Sequence, residues 1–107
     1  MRQIDPKKLE ENAEKASNLL KSMSHPARLM VLCHLVKGEC PVSVLNQAVP
    51  LSQSALSQHL AGLRRAGIVE TRRDSRVIHY RLKSRAVSGI IEVLYNIYCD
   101  TNDEEKE

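Results

Sequence analysis

Residues 51–82 read "LSQSALSQHLAGLRRAGIVETRRDSRVIHYRL", and the hydrophobic period changes partway through them. Before Gly67 the apolar residues keep helical spacing. Leu56, Leu60 and Leu63 form one narrow stripe at about 100° per residue, with Ser52 placed to cap the helix and Gly67 to stop it. Ser54, Ser57, Gln58 and Arg65 fall around the opposite side. After Gly67, "IVETRR" and "RVIHYRL" are β-branched runs on either side of "RDSR", the pattern of a two-stranded hairpin with a basic tip.

Upstream, "PKKLEENAEKASNLLKSM" spaces Leu9, Ala13, Ala16, Leu19, Leu20 and Met23 as a first helix over 6–23. In "SHPARLMVLCHLVKG", Ser24 can cap a second helix, Pro26 suits its first turn and Gly38 ends it. Cys33 then lies on or beside that helix's buried stripe. A short third helix is expected over 41–49, before Pro50. Downstream, "SRAVSGIIEVLYNIYC" opens with a cap at Ser84 and is apolar over more than one face. Such a helix must be buried on two sides, and in so small a domain a second copy of the chain is the economical cover.

The expected fold is therefore mainly α with a small β-hairpin. Four helices, two strands and a last helix make a winged helix-turn-helix, with the third and fourth helices forming the bihelical unit. At 107 residues the chain suits one domain, taken as 1–99, followed by an acidic, disordered tail over 100–107.

Charge is unevenly spread. The net charge is +3, but the tail "DTNDEEKE" contributes −4, so residues 1–99 carry +7. Between Arg64 and Arg85, eight basic residues face only Glu70 and Asp74. That is the footprint of a surface that meets phosphates. Gln53, Ser54, Ser57 and Gln58, on the first turns of the fourth helix, are the candidate readers of base edges in the major groove of double-stranded DNA. Arg64, Arg65, Arg72, Arg73 and Arg76 are the candidate phosphate contacts. His59, beside the apolar stripe, is read as a packing or capping residue.

No stretch approaches the roughly 20 apolar residues that cross a bilayer, so neither anchor nor signal peptide is expected and a cytoplasmic location follows. Three cysteines, at 33, 40 and 99, are too few and too irregular for a secreted disulfide scaffold. Cys40, just before Pro41, is read as an exposed, incidental loop thiol. Nothing in the sequence resembles a nucleophile and base constellation or a phosphate-cradling glycine loop, so an enzyme is not expected.

The fourth helix and wing, with the order and spacing of elements from about Ser17 to Cys99, resemble the ArsR/SmtB family of bacterial dimeric repressors. That resemblance implies a homodimer on an inverted-repeat operator, built on the first and last helices. Leu19, Leu20, Ile90, Ile91, Leu94, Ile97 and Tyr98 would form its interface. The family's metal-sensing patterns are not matched. The Cys-x-Cys positions at the start of the third helix are Pro41 and Ser43 here, and the Asp, His, His and Glu of the last helix are Ser84, Ala86, Ile97 and Asp100. No metal or cofactor is therefore expected.

The two cysteine contexts, "VLCHL" and "NIYC", resemble the BigR/SqrR-type branch, whose members sense reactive sulfur species. The resemblance implies that Cys33 and Cys99 are the sensing pair, bridged by persulfide or polysulfide chemistry so that the operator is released and sulfide-detoxification genes are derepressed. Two alternatives stay open: a metal-sensing repressor with a nonstandard thiolate site at Cys33, His34 and Cys99, and a redox-indifferent antirepressor like the HlyU-type members.

Overall fold

The computed structural model describes residues 4–98. Cys99 and the acidic tail lie outside the described residues. Helix α1 spans Pro6–Met23 and starts where the Asp5 side chain accepts from the Lys7 amide at 3.0 Å. Helix α2 spans Pro26–Val36. Its cap is not Ser24, as the sequence suggested, but His25, whose Nδ1 accepts from the Ala27 amide at 3.0 Å. Only two residues separate the helices, and Ser24 is used to close α1, donating its amide to the Lys21 carbonyl at 3.2 Å. The next residue must therefore open α2.

Strand β1 is Cys40–Pro41, helix α3 is Val42–Ala48, and helix α4 is Gln53–Arg65. Strands β2, Val69–Asp74, and β3, Val77–Leu82, form the wing, and α5 runs over Arg85–Tyr98. The expected caps hold at both later helices: Ser52 Oγ accepts from the Ala55 amide and Ser84 Oγ from the Val87 amide, each at 3.2 Å.

The hairpin is not isolated. The strands form one antiparallel sheet in the order β1-β3-β2, with Tyr80 of the middle strand paired to both Cys40 and Thr71. The two-residue β1 escaped the sequence reading because it has no alternation and contains a proline. Proline cannot donate to a ladder and so belongs at a sheet edge, where Pro41 sits. At the wing tip Ser75 and Arg76 link the paired residues Asp74 and Val77, and Ser75 takes a φ of 61°, a left-handed value uncommon for a residue with a Cβ.

The α4 stripe faces inward as its spacing predicts. Leu56, Leu60 and Leu63 join Leu32, Leu45, Ile68, Val87 and Ile91 in a core from which solvent is nearly excluded. Burying each such side chain contributes roughly 1.5–3 kcal/mol. The α4 position is therefore set by its apolar face, leaving its polar face outward.

The outer helices are different. Over its 18 residues α1 buries only Met23, while Leu9 and Leu20 are half-exposed. On α5, Val87 and Ile91 enter the core whereas Val93, Ile97 and Tyr98 are 58%, 51% and 79% exposed. The two-sided character of α5 thus resolves into one face buried within the chain and one left uncovered. Ile91, assigned to a subunit interface in the sequence reading, is fully buried within its own chain and presents no side-chain surface to a partner.

Candidate functional site

Gln53, Ser54, Ser57 and Gln58 are all exposed along the N-terminal half of α4. Ser54 is within 3.4 Å of the capping Ser52 hydroxyl, so the first turn carries a pair of linked hydroxyls. Arg64 and Arg65 are exposed in the last turn of the same helix. This distribution places short hydrogen-bonding groups at one end of the helix and long cationic ones at the other.

Arg73 and Arg76 are also exposed on the wing, and among the described residues neither makes an ion pair. Arg72 does. Its guanidinium holds Glu39 through two bonds, Nε to Oε2 at 2.7 Å and Nη2 to Oε1 at 3.2 Å, and Asp74 lies 3.8 Å away. The hydrogen bond from Arg72 holds the Glu39 carboxyl below its usual range. Arg72 therefore ties the wing to the segment entering β1. Two pairs along the hairpin, Arg81 Nε contacts Glu70 Oε2 at 2.7 Å, consistent with their facing positions in the register.

Sequence reasoning missed what pins α4 from behind. Arg28 of α2 donates from Nε to His59 Nδ1 at 3.1 Å and from Nη1 to the Ser22 carbonyl at 2.8 Å. Its guanidinium lies across Gly62, where an added Cβ would come within 2.4 Å of Nη2. The His25 and His59 ring centroids are 4.2 Å apart. One arginine thus joins the end of α1, the start of α2 and the back of α4. His59 is the packing residue expected, and desolvation, followed by the nearby His25 and Arg28 charges, lowers its pKa. The available signal was a glycine inside a helix, which costs about 1 kcal/mol relative to alanine and so implies a close approach.

The cysteines occupy different environments. Cys33 is half-buried on α2 and lines a cavity of about 430 Å³ between α2 and α5. Leu29, Met30, His34 and Lys37 complete its α2 side, and Ile91, Leu94, Tyr95 and Tyr98 its α5 side. Cys40 is not the exposed loop thiol expected. It is 8% exposed in β1, and burial pushes its pKa up, which disfavours the nucleophilic thiolate. The strand pairing that the sequence did not reveal is what buries it. Among the described residues no group of three or more His, Cys, Asp or Glu side chains could hold a metal ion.

Residues 25–71 match the model of the family described as "Bacterial regulatory protein, arsR family". The transcriptional activator HlyU of Vibrio cholerae is 47% identical over 94 residues, covering 88% of this chain and 87% of that one. The chain belongs to the ArsR family. A second member, the biofilm growth-associated repressor of Xylella fastidiosa, is 46% identical over 91 residues, spanning 85% of this chain and 80% of its own. The structure of reduced HlyU from Vibrio cholerae superposes with a TM-score of 0.83 at 47% identity, over 86% of this chain and 97% of that one. Like these ArsR-family relatives, the protein is a winged-helix regulator of transcription and not an enzyme. No helix among the described residues is long and apolar enough to cross a membrane.

Proposed function

We propose that the protein is a cytoplasmic, homodimeric repressor that holds an inverted-repeat operator and releases it when reactive sulfur species link Cys33 to Cys99. The observation that carries this reading is the placement of Cys33 on a cavity whose other wall is the C-terminal half of α5, ending at Tyr98, the residue before Cys99. Two α4 helices about 34 Å apart would enter successive major-groove faces. Gln53, Ser54, Ser57 and Gln58 would meet base edges, while Arg64, Arg65, Arg73 and Arg76 would meet phosphates. Arg72 would join them by exchanging Glu39 for a phosphate.

The persulfide is the oxidant: its sulfane sulfur leaves reduced, as hydrosulfide. A Cys33 thiolate takes the outer sulfur of a persulfide and expels the donor's thiolate. Cys99, as thiolate, then attacks the inner sulfur of the Cys33 persulfide and expels hydrosulfide, leaving a disulfide; where a second persulfide first extends Cys33 to a hydrotrisulfide, attack on its middle sulfur again expels hydrosulfide and leaves a trisulfide. A link between α2 and α5 changes how α5 can sit against a partner chain. A coupling of about 1–3 kcal/mol suffices to change operator occupancy ~5- to 150-fold.

The test treats reduced protein with a persulfide donor, locates added sulfur by mass spectrometry and measures operator affinity on the same sample. Linked Cys33 and Cys99 with loss of affinity is expected. DNA release with the two sulfurs unlinked would refute the assignment. Because HlyU is named an activator, a counter-repressing role is the second reading; it predicts unchanged operator affinity after the same treatment.

A further inference from the structure

We infer that the cavity between α2 and α5 is a binding site for a small amphipathic organic anion, an aliphatic or aromatic body bearing one carboxylate. Its volume of about 430 Å³ lies in the range of small-molecule sites, and its walls are Leu29, Met30, Ile91, Leu94 and the two tyrosine rings, Tyr95 and Tyr98. An apolar lining of this size is not matched to a hydrated inorganic ion, which would lose its solvation without gaining hydrogen bonds. It is matched to a hydrocarbon group.

Among the described residues the charge at the cavity is positive: Lys37 belongs to the lining and is exposed, beside the exposed His34 ring, and no aspartate or glutamate among them contributes to it. Lys37 is held there, with Nζ 5.3 Å from the Tyr95 ring centroid, close enough for a cation–π contact. An apolar chamber with a fixed ammonium at its edge complements a molecule that is greasy at one end and anionic at the other. An occupant would touch Cys33 on one wall and α5 on the other. It would therefore shield the thiol while bearing on the helix assigned to dimerisation, an input to the regulator that needs no sulfur chemistry.

Fatty carboxylates of graded length probe this directly. Titration of the full-length reduced protein with hexanoate, heptanoate and octanoate should show affinity rising about fourfold per methylene, as expected for burial of each CH₂. Octan-1-ol should bind more weakly than octanoate, and Lys37→Gln should weaken octanoate about two- to fivefold, the range of an exposed charge pair, without changing octanol. Saturating octanoate should slow alkylation of Cys33 by iodoacetamide, read by peptide mass spectrometry. Met30→Trp, which narrows the cavity from a partly exposed position, should abolish that protection. Affinity independent of chain length, or unaltered alkylation at saturation, would overturn the site. Equal binding of octanol and octanoate would overturn its anionic specificity. None of these readouts depends on Cys99, so their failure is distinguishable from failure of the sulfur-sensing reading.

Discussion

Arg28 and His59, 31 residues apart in sequence, are joined by a 3.1 Å hydrogen bond that fixes the back of α4 against α2. The same guanidinium bonds the Ser22 carbonyl and covers Gly62, so the helix proposed to meet DNA is held by a polar clamp as well as by its leucine stripe.

Removing the clamp should cost stability and its components should be coupled. Arg28→Ala leaves His59 Nδ1 and the Ser22 carbonyl without this donor, and should destabilise by about 1–3 kcal/mol in urea unfolding. In the wild-type background Gly62→Ala places a methyl group against a guanidinium held by two hydrogen bonds, so the helix-propensity gain is offset by displacement. In the Arg28→Ala background that obstacle is gone, and Gly62→Ala should then stabilise by about 1 kcal/mol. Equal effects of Gly62→Ala in both backgrounds would show that the two residues are not coupled.

The clamp also makes stability sensitive to acid. The folded protein binds a proton on His59 more weakly than the unfolded chain does, chiefly because of desolvation. Stability from this residue is fully present above the ordinary histidine value of 6.5 and is lost as pH falls from there toward the lowered folded-state value. Protonation of Nδ1 also ends the bond it accepts from Arg28. His59→Gln, which keeps a side-chain acceptor, should show a smaller decline in urea midpoint between pH 7 and pH 5 than the wild type does.

Most of the fold was legible because its signals are local. The leucine spacing of α4, the period change at Gly67 and the caps at Ser52 and Ser84 each depend on neighbours within a turn or two, and each stands in the structure. What escaped was set by distant partners. Cys40 and Pro41 form a strand only because β3 lies beside them, and the same pairing buries a thiol expected at the surface. Nothing adjacent to Arg28 in sequence marks its three destinations, which come from α1 and α4. In the wing, Arg72 was indistinguishable by sequence from Arg73, yet only Arg72 finds Glu39, 33 residues upstream. Conversely, Ile91 belongs to the same apolar α5 pattern as Ile97, and only packing shows that the first serves the core and the second is exposed.

That difference between adjacent arginines separates their expected effects on DNA binding. Arg73→Ala should weaken binding to every sequence and flatten the salt dependence by about one unit, the signature of a lost phosphate contact. Glu39→Gln should act in the opposite direction, tightening binding and steepening the salt slope, because it removes the carboxylate that holds Arg72 and leaves that guanidinium available. Gln58→Ala should instead change base preference with little effect on the salt slope. Operator and scrambled duplexes titrated at several salt concentrations distinguish the three outcomes.

The uncovered face of α5 supplies the last expectation. Ile97 is 51% exposed and Val93 58%, on a helix whose opposite face is anchored by Val87 and Ile91. Along α1, Leu20 is similarly exposed. If two chains close these surfaces together, Ile97→Glu introduces a charge that must be buried on association but remains solvated in the monomer. The fold of each chain should persist, with unchanged helical circular dichroism, while sedimentation velocity shows a shift from dimer to monomer. Operator affinity should fall steeply with it, because one chain can engage only one half-site and loses the effective concentration that joins the second. Leu20→Glu should produce the same pair of changes. A dimer that survives both substitutions would place the subunit contact elsewhere on the chain.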